Sequence, residues 1–377
     1  MSLVPRLAFR NLFQDPLRLI ATVVGIGFSM VLVTVQIGLY VSFQKMVTVM
    51  IDHAGADLWI VPRGSKSFED PSWLDEHERF RALSVDGVRD AIPLVVGVGR
   101  WRAPSGLTSP VFIVGADKRD DGLRPWNFVE GSLQSLAVPG AIAIDQAYFD
   151  RLETRRIGES AEINDQTVKV MEITHGIRSF TTMPYVFVSP DLARTLTGTP
   201  PNKASYFIIH LSAGVNAVET LARLRARLVD ADVLTPDEFG RRSKKFWVSG
   251  TGAGAALLMG SLLALIVGTV IVAQTLYSST KDHLPEFATL RAIGSSGGYI
   301  VKVIIIQALL SAFIGFCLAA GIGWTVVRTT ADTALPVIIT PAMIVMLLLL
   351  TVFMSVLSAV MAIMKVMRID PVIVLTR

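Results

Sequence analysis

The sequence predicts an α-helical membrane protein with four transmembrane helices plus a large α+β extracytoplasmic domain between helices 1 and 2. Three observations carry that prediction. Of the 377 residues 51% are hydrophobic and only 18% charged, with a mean hydropathy of +0.53; a chain folded wholly in water needs more polar surface than this. The apolar residues gather at the N-terminus and in the last third, with an ordinary globular composition between them. Four runs are long enough and free enough of charge to cross a bilayer, which takes about 20 helical residues. The chain therefore divides into an N-terminal segment with the first span (1–47), the large domain with its stalk (48–245), and a segment carrying three more spans and a C-terminal tail (246–377).

Leu19 to Gln44 contains no charged residue and follows Arg6, Arg10 and Arg18. The run is too long for a signal-peptide core and no A-x-A-like site follows it, so it reads as an uncleaved signal anchor. Phe246–Thr280, Val303–Val327 and Thr333–Met364 are also free of charge. Pro341 suits a helical first turn, and the four spans are placed near 19–43, 250–276, 301–327 and 341–364. Arg6, Arg10 and Arg18, then Lys281, Arg291 and Lys302, then Lys365, Arg368 and Arg377 all fall on one side, which the positive-inside rule makes cytoplasmic. Both termini are thus expected in the cytoplasm. Tyr40, Phe43, Trp247 and Trp324 fall at the opposite boundary, where amphipathic rings prefer to sit. One cluster disagrees: Arg241, Arg242, Lys244 and Lys245 precede span two on the side assigned outside. A helical stalk holding them above the bilayer would remove the conflict.

Lipid tails are as apolar as leucine, so helices associate in a bilayer through close packing of small residues. Span two carries Gly252, Ala256, Gly260, Ala264 and Gly268 at four-residue spacing; span three carries Ser311, Gly315, Ala319 and Gly323; span one has Ala21, Gly25 and Ser29. These are the candidate helix-packing residues, with their partner helices left open. Gln36, Gln274 and Gln307 are the expected interhelical hydrogen-bonding groups. No Asp, Glu, Lys or Arg sits deep in any span, which argues against ion-driven transport, since coupled transporters place ionisable groups at membrane depth.

In the domain, Asp57–Val61, Val111–Gly115, Ala141–Ile144, Val168–Ile173, Tyr185–Val188 and Tyr206–Leu211 read as strands. Helices are expected after Asp145, over Pro190–Leu196, and over Val215–Val229 with Val218, Leu221, Leu224, Arg225 and Leu228 on one face. Pro236–Trp247 should lead helically into span two. The chemistry is sparse. The histidines are isolated, with no HExxH or Cys/His spacing; Asp117, Asp120 and Asp121 before Gly122 lack EF-hand spacing and read as a solvated turn. No metal, cofactor or catalytic residue is expected. The net charge of +4 fits juxtamembrane cations, and no basic run with interleaved aromatics suggests nucleic acid. The single cysteine, Cys317, lies in an apolar run and has no disulfide partner in the chain.

The loop after span two reads Ser278-Ser-Thr-Lys-Asp-His-Leu-Pro-Glu-Phe-Ala-Thr-Leu-Arg-Ala-Ile-Gly294. Asp282 or Thr280 can cap a helix, Pro285 suits its first turn and Gly294 its end. Leu284, Phe287, Leu290 and Ile293 form an apolar stripe, fit either for headgroups or for a partner's groove. The segment Pro285–Gly294, with Gln307 in the next span, resembles the coupling-helix signature of MacB/FtsX-type ABC transporter permeases. Leu7-Ala-Phe-Arg-Asn-Leu through Pro16-Leu-Arg and Gly25-Ile resembles their amphipathic N-terminal helix and first span, and Arg368–Leu375 their C-terminal tail. Asp57-Leu-Trp-Ile-Val and Asp282-His-Leu-Pro-Glu-Phe resemble the DevC-like branch.

That resemblance implies the permease subunit of an ATP-driven exporter or extractor of the mechanotransmission type in the bacterial inner membrane. It implies a homodimer whose coupling helix (281–295) receives force from a cytoplasmic ABC ATPase through Glu286, Phe287, Leu290, Arg291 and Gly294. MacB itself fuses its ATPase to the permease; these 377 residues hold no Walker sequence, so ATP is expected on a separate partner chain and the permease itself is expected not to be an enzyme. The DevC-like branch would add a periplasmic adaptor and an outer-membrane duct. The alternative is an FtsX-like signal transmitter that transports nothing and activates a periplasmic partner; FtsX-like proteins usually carry a smaller outer domain. A membrane-anchored enzyme is a remote third reading.

Overall fold

A computed structural model describes residues 3–14, 16–116, 122–282 and 297–367. Two compact units emerge: one of residues 1–41, 256–331 and 337–377, the other of residues 42–255 and 332–336. The first holds the membrane helices; the second is the large domain.

Helix α1 (Leu3–Gln14) packs against α9 (Gly297–Thr330) in the membrane unit. Ala8 is buried, while Phe9 and Phe13 stack on each other on an exposed face, the division expected of an amphipathic helix. Among the described residues four helices are long and apolar enough to cross a membrane, over Leu19–His53, Ala253–Ser278, Val301–Thr330 and Pro341–Met361. They belong to α2 (Pro16–His53), α8 (Ala253–Asp282), α9 and α10 (Pro341–Met367). Helix α2 runs ten residues past the end of the predicted first span, because nothing between Gln44 and His53 breaks it: Lys45 and Asp52 are helix-tolerant and Thr48 Oγ1 donates to Asp52 Oδ2 one turn on.

The domain is built on two main sheets. In the first, β13 (Ala231–Leu234), β1 (Leu58–Pro62), β12 (Tyr206–Leu211) and β3 (Val88–Leu94) lie in that order, all antiparallel. The second comprises β6 (Phe128–Glu130), β9 (Gln166–Thr174), β7 (Ala141–Asp145), β10 (Tyr185–Val188), β5 (Thr108–Gly115), β4 (Val96–Arg102) and β8 (Ser160–Ile163). Strand β8 pairs with both β4 and β9, so six of these strands close into a ring with β6 appended. Closure removes the exposed edges an open sheet would present. The β8–β9 hairpin turns at Asn164 and Asp165, both with positive φ (50° and 64°), as a two-residue primed turn requires. Short β2 (Leu74–Asp75) pairs with β11 (Lys203–Ala204).

The expected strands are all present, with ends shifted by up to three residues. Helix α3 (Glu76–Leu83) is capped by Asp75, and α5 (Pro190–Thr197) starts at Ser189 and ends at Gly198 with φ +66°. Asp145 caps a 3₁₀ turn, followed by short α4 (Phe149–Leu152). Helix α6 (Ala217–Arg227) buries Leu224, and Leu228 just beyond it, but leaves Val218 77% exposed, so the apolar face is shorter than its sequence pattern. Helix α7 (Pro236–Lys245) opens on a Thr235–Glu238 capping box. It does not run straight into α8. A π-turn at Phe246–Gly250 follows, and then Gly252 at φ +75°, a conformation that favours glycine.

Candidate functional site

The residues singled out for helix packing sort by what surrounds them. On α8, Gly260, Ala264 and Gly268 face α2. A Cβ added to Gly260 would stand 2.9 Å from Gln36 Nε2. At Gly268 it would collide with the Ser29 side chain and reach 3.2 Å from Met354 Sδ. Ser29 Oγ donates to Ala264 O at 2.6 Å, and Gly25 meets Ile271 one turn further. As the contacts descend α2 from Gln36 to Gly25 they climb α8 from Gly260 to Ile271, so the two helices run antiparallel. Gly252 stands outside this ladder, before the helix begins, and Ala256 is exposed.

On α9, Ser311, Gly315, Ala319 and Gly323 are all buried. A Cβ at Gly315 would stand 2.5 Å from Ile26 Cγ2, and one at Gly323 3.5 Å from Thr34 Cγ2; Gly27 of α2 faces Leu318. Here both numberings rise together, so α2 and α9 run parallel. Both small-residue ladders therefore take the first span as their partner. Of the three glutamines, Gln36 and Gln307 are in the interior and Gln274 is exposed. Serines make interhelical bonds: Ser29 to Ala264 O, and Ser358 Oγ to Thr269 O at 2.9 Å. The α10 residues were missed by sequence reasoning. Thr351, Ser355 and Ala359 are fully buried at four-residue spacing, the same signal used for spans two and three. A cavity of about 150 Å³ among α2, α9 and α10 is walled mainly by apolar groups such as Met30, Phe316, Ala319 and Leu347.

The coupling residues Glu286, Phe287, Leu290, Arg291 and Gly294 lie outside the described residues, as do Asp117, Asp120, Asp121 and the C-terminal tail. Asp57-Leu-Trp-Ile-Val, which pointed to the DevC-like branch, places an exposed Asp57 just before β1 and its other four residues, all buried, within β1. Trp59 there packs on Phe68, Tyr206 and Phe239, which makes this motif part of the core.

No group of His, Cys, Asp and Glu able to hold a metal occurs among the described residues. Three histidines reach backbone, carboxylate or amide groups: His53 on Val49 O, His77 on Asp75, His175 on Gln146. Three buried carboxyls in the domain are nonetheless pushed up by burial: Glu69, Glu172 and Asp145, the last opposed in part by the Ala147 and Ile177 amides. Burial pushes Glu69 up to about 7, opposed in part by the Tyr185 hydroxyl, which donates to its Oε1 at 2.8 Å. Burial also pushes Glu172 up to about 7, opposed in part by the Leu136 backbone. None of the three belongs to a metal-ligating cluster among the described residues.

Comparison with known proteins agrees with the sequence resemblance. The profile of the MacB-like periplasmic core domain matches residues 19–227, more than half of the chain, and that of the FtsX-like permease C-terminal domain matches residues 258–371. An uncharacterised ABC transporter permease of Mycobacterium tuberculosis, recorded from two strains, is 24% identical over 319 residues, covering 83% of this chain and 84% of the relative. The periplasmic region of MacB from Actinobacillus actinomycetemcomitans covers 50% of this chain and 92% of its own length, with 12% identity and a TM-score of 0.37. The extracellular domain of YknZ, a noncanonic ABC-type transporter from Gram-positive bacteria, covers 48% of this chain and 99% of its own length, with 15% identity and a TM-score of 0.35. Those two structural scores are too low to decide anything; the family profiles decide it. The chain belongs to the MacB/FtsX-type family of ABC transporter permeases.

Proposed function

We propose that this permease is the membrane subunit of an ATP-driven exporter or extractor of the mechanotransmission type. It couples a separate cytoplasmic ABC ATPase to movements of a domain outside the cytoplasmic membrane. One observation carries the reading: the spans hold no deep ionisable group, and their helices close on the first span through glycine, alanine and serine. Such an interior offers no proton or ion relay, and the energy must then come from a partner chain. Tightly packed helices suit transmission of a rigid displacement. The coupling helix 281–295 is the entry point for that displacement. A second copy of the chain completes the machine, both termini face the cytoplasm, and the permease hydrolyses nothing itself. On the DevC-like branch an adaptor and an outer-membrane duct would stand beyond the domain.

The test uses the full chain with its ATPase, reconstituted in lipid nanodiscs. A spin label at Val218→Cys, in a Cys317→Ser background, reports a distance between two copies. The reading expects one such distance, changed by several ångströms between the nucleotide-free and ATP-trapped states. No inter-copy distance contradicts the homodimer, and an unchanged distance contradicts mechanotransmission. In intact cells, an impermeant thiol reagent should label Val218→Cys but not Ser295→Cys; labelling at 295 would reverse the orientation.

A further inference from the structure

The basic cluster before span two, which charge-based orientation left unexplained, takes part in a groove of the domain unit. The groove, of about 580 Å³, is lined by Lys66, Arg242, Lys245, Phe246, Ser249 and Asp232 among others. Asp232 is already engaged: Arg242 Nη1 donates to its Oδ2 at 2.6 Å, and Gly64 N does so at 3.3 Å. Lys66 and Lys245 are exposed, and Lys66 Nζ rests over the Phe246 ring, 5.4 Å from its centroid. Three cations thus face one carboxylate that is paired with one of them. The groove keeps an unneutralised positive charge beside an aromatic ring.

Its position along the chain says what that charge can meet. Gly250, in the wall, lies three residues before Ala253, where the apolar helix α8 begins. Three residues reach at most about 11 Å, and the headgroup layer is roughly 5–7 Å deep on each side of the hydrocarbon. Here the chain also abandons regular α-helix for the π-turn at Phe246–Gly250 and the positive φ of Gly252. Such π-turns inside helices often mark functional positions. An amphipathic ring and lysines at headgroup depth are the chemistry that anionic lipid recognises.

We propose that this groove binds the phosphate of an anionic phospholipid headgroup, in the leaflet next to the large domain. Lys66 and Lys245 contact the phosphate, and Phe246 lies against the glycerol and upper acyl carbons. The cations before span two are then present to hold lipid, and they do not bear on which side of the membrane the segment occupies. Arg242 fixes the wall through Asp232 and Ser65 O, to which it donates at 3.3 Å.

The test is native mass spectrometry of the purified full chain in detergent. Phosphatidylglycerol, phosphatidylcholine of the same acyl chains, and inorganic phosphate are added in parallel. The wild type should retain phosphatidylglycerol in preference to phosphatidylcholine. Lys66→Gln with Lys245→Gln should lower that retention roughly thirtyfold, the effect of two membrane-bound lysines. Lys66→Arg with Lys245→Arg should restore most of it, and Lys302→Gln, on another span, should leave it unchanged. Equal retention of the two lipids by the wild type, or of phosphatidylglycerol by wild type and the Gln double variant, overturns the proposal. Displacement of the lipid by millimolar inorganic phosphate overturns the lipid assignment in favour of a soluble phosphate ligand.

Discussion

The membrane unit and the large domain both bury apolar side chains but pack them differently. In the domain the centre is bulky: Trp59, Phe68, Tyr206 and Phe239 meet ring to ring, and Trp101, Ile113, Ile144 and Ile163 belong to a second cluster. In the membrane unit small residues on one helix receive larger ones from the next, Gly315 against Ile26 and Gly25 against Ile271, beside a buried aliphatic cluster of Ile26, Met30, Val33 and Leu347, with Leu258, Leu262 and Ile266 left exposed. Water explains the difference. In the domain, each buried ring removes apolar area from water and gains the transfer free energy. In lipid that gain is absent, so the helices are held by close approach and by hydrogen bonds that have no aqueous competitor. A single hydropathy value for the whole chain conceals two different solutions.

That contrast can be broken at its strongest point first. Gly268→Leu drives a side chain into Ser29 and Met354 and should prevent the membrane helices from assembling. Val267→Leu, at a position 48% exposed, should behave as wild type. Size-exclusion chromatography in detergent decides; equal behaviour of the two variants removes the ladder's significance. The reverse substitution belongs to the domain. Trp59→Ala should cost about 3–5 kcal/mol, the range for a buried aromatic, read as a lowered melting midpoint of the domain with the helical signal of the membrane unit retained.

The pH dependence of the domain is next in size. Glu69 titrates near 7 when folded and near its ordinary 4.5 when unfolded. Between those values the folded domain keeps a proton that the unfolded chain releases. The stability this gives is fully present below about pH 4.5 and is lost as pH rises through 7, at most about 3 kcal/mol. Denaturant titrations from pH 5 to 8 should show the decline, and Glu69→Gln should flatten much of it. Glu172 contributes in the same sense, so the flattening is partial. Smallest of all, Ser358→Ala removes one interhelical bond to Thr269 and should cost roughly 0.6 kcal/mol, the mean for such bonds in a bilayer. A loss of several kcal/mol would mean that these bonds, and not close approach, hold the unit together.

How much could be read beforehand follows the same division. The spans, the buried strands and the family were legible, because long charge-free runs and β-branched runs are local signals. Strands β3 and β4 were not, since Pro93, Gly97 and Gly99 read as breakers. Pro93 is tolerated because β3 lies at the edge of its sheet. Gly97 and Gly99 leave room for Thr197 and for Ile113 with Ile163, a demand set by residues distant in sequence. In the membrane unit the small-residue spacing located Gly260, Gly268 and Gly315, yet it included Gly252 and Ala256, because spacing alone does not show where a helix starts or which side it buries. Ser358 escaped because its partner is a backbone carbonyl, which no side-chain pattern reports. The groove around Lys66 joins residues 64–66 to 242–250, a juxtaposition that only the fold creates.

The claim that this permease is driven from the 281–295 loop has one direct test. The tagged full-length chain is captured from its native membranes, and the ABC ATPase captured with it is quantified through its Walker-motif peptides. Limited proteolysis of the large domain serves as the folding control. Phe287→Ala with Leu290→Ala removes the apolar anchor, the kind of contact that dominates interface energy, and should lower ATPase recovery at least tenfold while the domain stays protease-resistant. Undiminished recovery with that double variant would contradict the account.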